Sequence, residues 1–178
     1  MPGTPDVHDV PSPAPPRGDP RPGRWQQWQP WVTLVLRVGL AAVAFAAGLA
    51  KITDLPASVR AVRAYEILPE AVVPLVGDAL PMVEILLGVL LLLGLFTRFA
   101  AITFGALMVV FIIGIASAWA RGLAIDCGCF GGGGSITPDQ TKYPLEILRD
   151  LGLVAVSAVV AWWPRTRLSL DDSLGLAA

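Results

Sequence analysis

The chain has 178 residues, 54% of them hydrophobic and 15% charged, with a formal net charge of −1. Its mean hydropathy is +0.65. A soluble domain carries roughly 25% charged and about 45–50% apolar residues, so this chain lacks the polar residues needed to cover a globule in water. The near-zero net charge excludes a basic footprint for nucleic acid. Two cysteines exclude a disulfide framework, and a single histidine leaves few ways to build a metal centre. The composition points to an integral membrane protein surrounded by a lipid bilayer.

Residues 1–30 hold nine of the sixteen prolines and few aliphatic residues. Such a stretch cannot bury enough apolar surface to offset its ordering entropy, so a disordered Pro-rich tail is expected, with His8 a solvated residue in it. A signal peptide is not expected, because no short apolar core with a small-residue cleavage site follows a charged start.

Four apolar segments follow, and they predict an all-α fold, a four-helix transmembrane bundle. The first covers residues 31–50, about 30 Å of helix at about 1.5 Å per residue, which matches a bilayer core. Pro30 suits its first helical position, and Trp25, Trp28 and Trp31 suit an interfacial aromatic belt. The second covers residues 79–96, with Asp78 as its cap and Pro81 in its first turn. The third covers residues 99–120 and is uncharged. The fourth covers residues 145–163, started by Pro144 and stopped by Pro164, with Glu146, Arg149 and Asp150 at headgroup level. Residues 164–178 read as a short tail.

Four spans place both termini on one side. Thr97 and Arg98 form the tight connection between spans two and three, so the other two connections share the opposite face. In the first, Val59, Val62 and Tyr65 recur every third residue beside Arg60, Arg63 and Glu66, which predicts a short amphipathic interfacial helix between spans one and two. Counting Arg149 at headgroup level, basic residues number six on each side, so charge bias sets no orientation.

The stretch Ile125-Asp126-Cys127-Gly128-Cys129-Phe130, followed by Gly131 to Gly134, holds both cysteines just after the third span. Glycine between them lets the chain turn tightly. A disulfide needs Cα atoms about 4.4–6.8 Å apart, and a strained one is easily reduced. The pair therefore reads as a thiol–disulfide exchange site that the glycine run lets swing towards a partner. Three other readings stay open: half of a metal site, inert loop cysteines, and a structural bond to a partner. No histidine lies nearby to complete a metal site, and zinc wants four ligands. An oxidising compartment is where a redox pair is useful, which places the cysteine loop outside the cytoplasm and both termini inside.

Glu84 lies inside the second span, where a carboxylate is costly and should be paired or protonated. Lys51, at the end of the first span, is its obvious partner, so Glu84 is either half of a structural ion pair or a proton-handling group. Arg37 is expected to snorkel to the headgroups. Asp126 would raise the pKa of the neighbouring thiol. Tyr65 could cover the mouth of the bundle without a function of its own. Ala42, Ala46 and Ala50, and Ala44 and Gly48, form small-residue stripes suited to close helix packing.

A Lys just after the first span, AVRAYEILP in the first long loop, LPMVEILLGVLLLLG in the second span and DCGCFG after the third resemble the MauE family, the methylamine-utilisation branch of DoxX-like membrane proteins. The resemblance covers about residues 31–163. It implies a multi-pass bundle in the plasma membrane that supports maturation of methylamine dehydrogenase alongside a thioredoxin-like partner. It implies Cys127 and Cys129 as the redox pair, and Lys51 and Glu84 as the polar positions of the bundle. A wider resemblance to quinone-linked four-helix thiol oxidoreductases makes a quinone the natural electron acceptor; no other cofactor and no metal is expected. Two alternatives remain: a non-catalytic scaffold that docks a thioredoxin-like partner, and a small-molecule carrier using Glu84 and Lys51. Four spans without an internal repeat weigh against the carrier.

Overall fold

The computed structural model describes residues 24–163. His8, most of the expected N-terminal tail and the C-terminal tail lie outside the described residues. Helix α1 spans Arg24–Ile52, α2 Leu55–Ala64, α3 Val73–Leu93, α4 Thr97–Ala120 and α5 Tyr143–Trp162. Between α4 and α5, β1 (Ile125–Asp126) pairs antiparallel with β2 (Gly134–Ser135), Ile125 opposite Ser135. This small hairpin departs from the purely helical expectation.

Three helices, α1, α3 and α4, are long and apolar enough to cross a membrane. Their outer faces carry exposed Val35, Leu75, Leu86, Phe99, Val110 and Ile113, the pattern of surfaces facing hydrocarbon rather than water. The inner faces build a core of Leu40, Ala44, Leu87, Leu91, Phe104 and Val160, drawn from α1, α3, α4 and α5. Helix α1 packs along α3, and α4 along α5. Of the small-residue stripes, Ala44 and Gly48 are buried whereas Ala42 and Ala46 face outward.

Several expected boundaries move. Helix α1 starts at Arg24, so Pro30 lies inside the helix instead of opening it. Arg37 consequently sits mid-helix and is buried, at 2% exposure, rather than snorkelling from an end. Helix α3 begins at Val73 with Pro74 in its first turn, so Asp78 is not the cap and Pro81 lies within the helix. Pro81 has no N–H to give the Gly77 carbonyl one turn back. The Ser58 hydroxyl, from α2, donates to that carbonyl instead at 2.7 Å. The turn joining α3 to α4 is Gly94-Leu95-Phe96, and Thr97 already belongs to α4. Gly94 takes the left-handed conformation (φ 65°), and the Leu95 N–H returns to the Leu90 carbonyl at 2.9 Å, a helix stop that favours glycine.

Helix α2 forms within the stretch expected to be amphipathic. Asp54 caps it, accepting from the Ala57 N–H at 2.9 Å. Its inward face is made of small residues. Ala57, Ser58 and Ala61 are buried, and Val59 and Val62 are half-buried. Small residues face inward because α2 lies against backbone: a Cβ at Gly77 of α3 would fall 2.7 Å from the Val59 Cα. Helix α5 starts at Tyr143 with Pro144 in its first turn, as the proline predicts. Glu146, Arg149 and Asp150 put three charges into its first two turns.

Candidate functional site

The cysteines occupy the tip of the β1–β2 hairpin. Tyr143, the first residue of α5, ties this hairpin down. Its hydroxyl accepts the Ile125 N–H at 2.8 Å and donates to the Leu123 carbonyl at 2.6 Å. On the other side the Tyr65 hydroxyl donates to the Cys127 carbonyl at 3.1 Å. The Arg121 guanidinium in turn donates to the Tyr65 carbonyl. Burial pushes the Tyr65 hydroxyl well above the usual phenol range, so it remains a donor. Tyr65 thus holds the backbone at Cys127.

The glycine run does not swing freely. All of Gly131 to Gly134 take positive φ, and the loop is pressed against α2. A Cβ on Gly133 would meet the Ala61 Cβ at 2.3 Å, and one on Gly128 would meet it at 2.7 Å. Glycine is required here for close approach to the small-residue face of α2. Both cysteines are accordingly buried, at 8% and 6% exposure, and both are free thiols.

The two sulfurs lie 2.8 Å apart. The Cys129 N–H also points at Cys127 Sγ, at 3.4 Å. Arg149 of α5 brings Nη2 to 3.9 Å from the same sulfur. The Cys129 thiol, hydrogen-bonded to Cys127, holds Cys127 below the ordinary thiol range, and Arg149 adds to this. Cys129 is driven the opposite way by the same hydrogen bond and by burial. The pair is therefore asymmetric: of the two thiols, Cys127 ionises the more readily. Asp126 does not act on the thiol as expected. Its Oδ2 accepts the Gly133 N–H at 3.2 Å, and the carboxylate that opposes ionisation of Cys127 is Glu146.

Arg149 is itself held on three sides. Its Nε donates to Asp150 Oδ1 at 2.9 Å, and its guanidinium lies 4.9 Å from the Phe130 ring centre. Asp150 is 1% exposed. Asp150 turns into the bundle and Arg149 turns to the cysteines. Residues 146, 149 and 150 share one helical face by their spacing, which is the signal that could have found them.

Lys51 and Glu84 meet as expected. Lys51 Nζ lies 2.5 Å from Glu84 Oε1, with side chains 3% and 1% exposed. Lys51 also lies 5.6 Å from the Phe111 ring centre. Glu84, Asp150, Arg149, Cys129, Phe130 and Phe111 border one narrow cleft, with apolar walls from Val43, Phe104 and Leu153. Of the side chains singled out in the sequence, Cys129 and Glu84 border this one cleft, with Cys127 beside Cys129 and Lys51 paired to Glu84.

Three apolar helices bundled with a fourth that carries charge, closed at one end by a buried dithiol, define a helical membrane protein. The chain belongs to the MauE family: the family model described as methylamine utilisation protein MauE matches residues 29–163. The methylamine utilization protein MauE of Paracoccus denitrificans is 34% identical over 134 residues, covering 73% of this chain and 68% of that protein. No solved structure matches the chain.

Proposed function

We propose that this chain is a membrane thiol–disulfide component in which Cys127 and Cys129 exchange with a thioredoxin-like partner and so support maturation of a disulfide-containing exported enzyme of the methylamine dehydrogenase kind. The observation that carries this reading is the asymmetric dithiol, two sulfurs 2.8 Å apart with an arginine 3.9 Å from one of them. A thiolate is the attacking species in exchange, and a neighbouring cation favours it. Family membership supports the link to methylamine utilisation.

In the oxidising direction the partner's thiolate attacks the Cys127–Cys129 disulfide at Cys127. The bond between the two cysteines breaks, and a mixed disulfide forms. The partner's second thiolate then attacks its own sulfur in that bond, leaving the partner oxidised and both cysteines reduced. Two electrons pass to the pair, and the partner's two thiol protons are released or taken up by the reduced pair. Reoxidation needs a two-electron acceptor, and a membrane quinone, which becomes quinol on taking two electrons and two protons, is the chemical class that fits. The opposite direction runs through the same bonds. Lys51 and Glu84 hold the polar interior under the pair.

In this reading α5 is the fourth span, α2 lies in the interface, the bundle sits in the plasma membrane, and the cysteine loop faces outward with both termini in the cytoplasm. The test is trapping. Cys129→Ser should accumulate a mixed disulfide with a thioredoxin-like protein through Cys127. If neither single Ser variant traps a partner and both keep full function in cells, the pair is incidental and a docking scaffold is the better description. A membrane-impermeant maleimide on intact reduced cells should label the pair; labelling only after lysis reverses the orientation.

A further inference from the structure

We propose that the reduced Cys127–Cys129 pair, together with Asp126 and Glu146, is a binding site for a zinc-class divalent cation. The two cysteines alone are half a site. The fold supplies the other half from neighbouring elements. Asp126 ends β1 directly before Cys127, and Glu146 comes from the first turn of α5. One ligand atom from each of Asp126, Cys127 and Glu146 lies within 4.8 Å of the other two. Cys129 Sγ adds a fourth donor 2.8 Å from Cys127 Sγ.

Tetrahedral zinc takes sulfur at about 2.3 Å and carboxylate oxygen at about 2.0–2.2 Å, which sets neighbouring ligand atoms about 3.3–3.8 Å apart. The three donors within 4.8 Å of one another and the two sulfurs 2.8 Å apart lie on either side of that spacing, so side-chain rotation about Cys127 would bring Cys129 in as the fourth ligand. The donors are also available. Glu146 Oε2 is buried and makes no hydrogen bond. Asp126 commits one oxygen to the Gly133 N–H, which leaves the other. Two carboxylates are gathered around a thiol, while the nearest cation, Arg149, is already engaged by Asp150. A divalent ion at the centre removes that repulsion. Arg149, 3.9 Å from Cys127 Sγ, then offsets part of the negative charge that four anionic ligands leave on the complex.

The donor chemistry selects the ion. Two thiolates exclude magnesium and calcium, which take oxygen ligands. Two carboxylates disfavour a purely soft ion such as cuprous copper. A borderline d10 divalent ion accepts both. The site exists only in the dithiol, because a disulfide leaves no thiolate to bind. Metal occupancy and oxidation of the pair are therefore mutually exclusive, and the cation would hold the pair reduced.

The test uses the full chain in detergent, reduced and handled without oxygen. After equilibration with zinc and gel filtration, the reduced protein should retain one zinc per chain and the oxidised protein almost none. Cobalt in place of zinc should give a thiolate-to-metal charge-transfer band and the visible spectrum of a tetrahedral site. Glu146→Gln and Asp126→Asn should each weaken zinc at least tenfold in competition with a chelator. The proposal is overturned if the reduced chain retains no zinc, if cobalt gives no thiolate band, or if both variants bind like the parent. Should Glu146→Gln fail to fold, Asp126→Asn and the cobalt spectrum still decide. Zinc binding needs no partner and trapping needs no zinc, so this proposal and the exchange reading fail separately.

Discussion

Replacing Lys51 by Met would leave the Glu84 carboxylate enclosed in the bundle without its counter-ion. The two charges lie 2.5 Å apart and both side chains are nearly inaccessible. At an effective dielectric of about 20 the gross attraction at that distance is about 7 kcal/mol. Desolvation takes back several kcal/mol for each ion, so the pair's net contribution is small, but breaking it from one side should cost about 3–5 kcal/mol. Glu84→Leu should cost a similar amount, because it strands the ammonium group of Lys51. The double variant, with neither charge, should lie within about 1–2 kcal/mol of the parent, because a well-packed apolar pair of similar volume replaces a buried ion pair at little loss. A double-mutant cycle by denaturant unfolding in micelles, followed by tryptophan fluorescence and circular dichroism, measures the coupling. Single variants that each cost under about 1 kcal/mol, or a double variant as unstable as the sum of the two, would refute the assignment of a tightly coupled buried pair. If the double variant is stable but exchanges thiols poorly, the pair acts in proton handling as well as in packing.

Three further outcomes follow from the same packing. Ser58→Ala removes the donor to the Gly77 carbonyl and should cost about 1–3 kcal/mol; adding Pro81→Ala should recover most of it, since an alanine N–H can then reach that carbonyl, and unfolding of the four members of the cycle checks this. Gly133→Ala places a methyl group against Ala61 at a φ of +94° and should destabilise the loop by about 1–3 kcal/mol; Ala61→Gly should relieve the clash but not the backbone strain, leaving a partial recovery of the melting temperature. Tyr143→Phe strips the hairpin of a hydroxyl that serves both Ile125 and Leu123; maleimide should then label Cys127 faster than in the parent, and an unchanged rate would show that the hydroxyl does not hold the hairpin closed.

Much of the bundle was legible along the chain. Long uncharged runs of apolar residues have few options other than a membrane helix, because every backbone group must be satisfied within the segment. A lysine and a glutamate in otherwise apolar surroundings have strong reason to meet, and Lys51 and Glu84 do. A Cys-Gly-Cys sequence brings two sulfurs together by local geometry alone. These features depend on composition and short-range spacing, which one strand of text records completely.

The rest depended on what the elements meet in three dimensions. Periodicity in α2 marked an amphipathic stripe at Val59, Val62 and Tyr65 but did not say which face packs on the bundle; a helix laid against backbone needs small residues there, and Ala57, Ser58 and Ala61 face inward. Pro81 looked like a helix start because its carbonyl-orphaning effect is costly inside a helix; only Ser58, from another helix, makes it tolerable. The glycine run looked loose, yet its missing side chains are the space that Ala61 fills. The spacing of Glu146, Arg149 and Asp150 put them on one face, and only the packing of α5 turns Asp150 into the bundle and Arg149 towards the sulfurs. The sequence by itself determined that the chain is a helical membrane bundle with a dithiol and a Lys51–Glu84 pair, because burial of apolar surface and of charge is dictated by residue type. Which carboxylates and which arginine surround that dithiol was decided by the tertiary structure, because those contacts join residues whose separation along the chain carries no physical constraint until the helices pack.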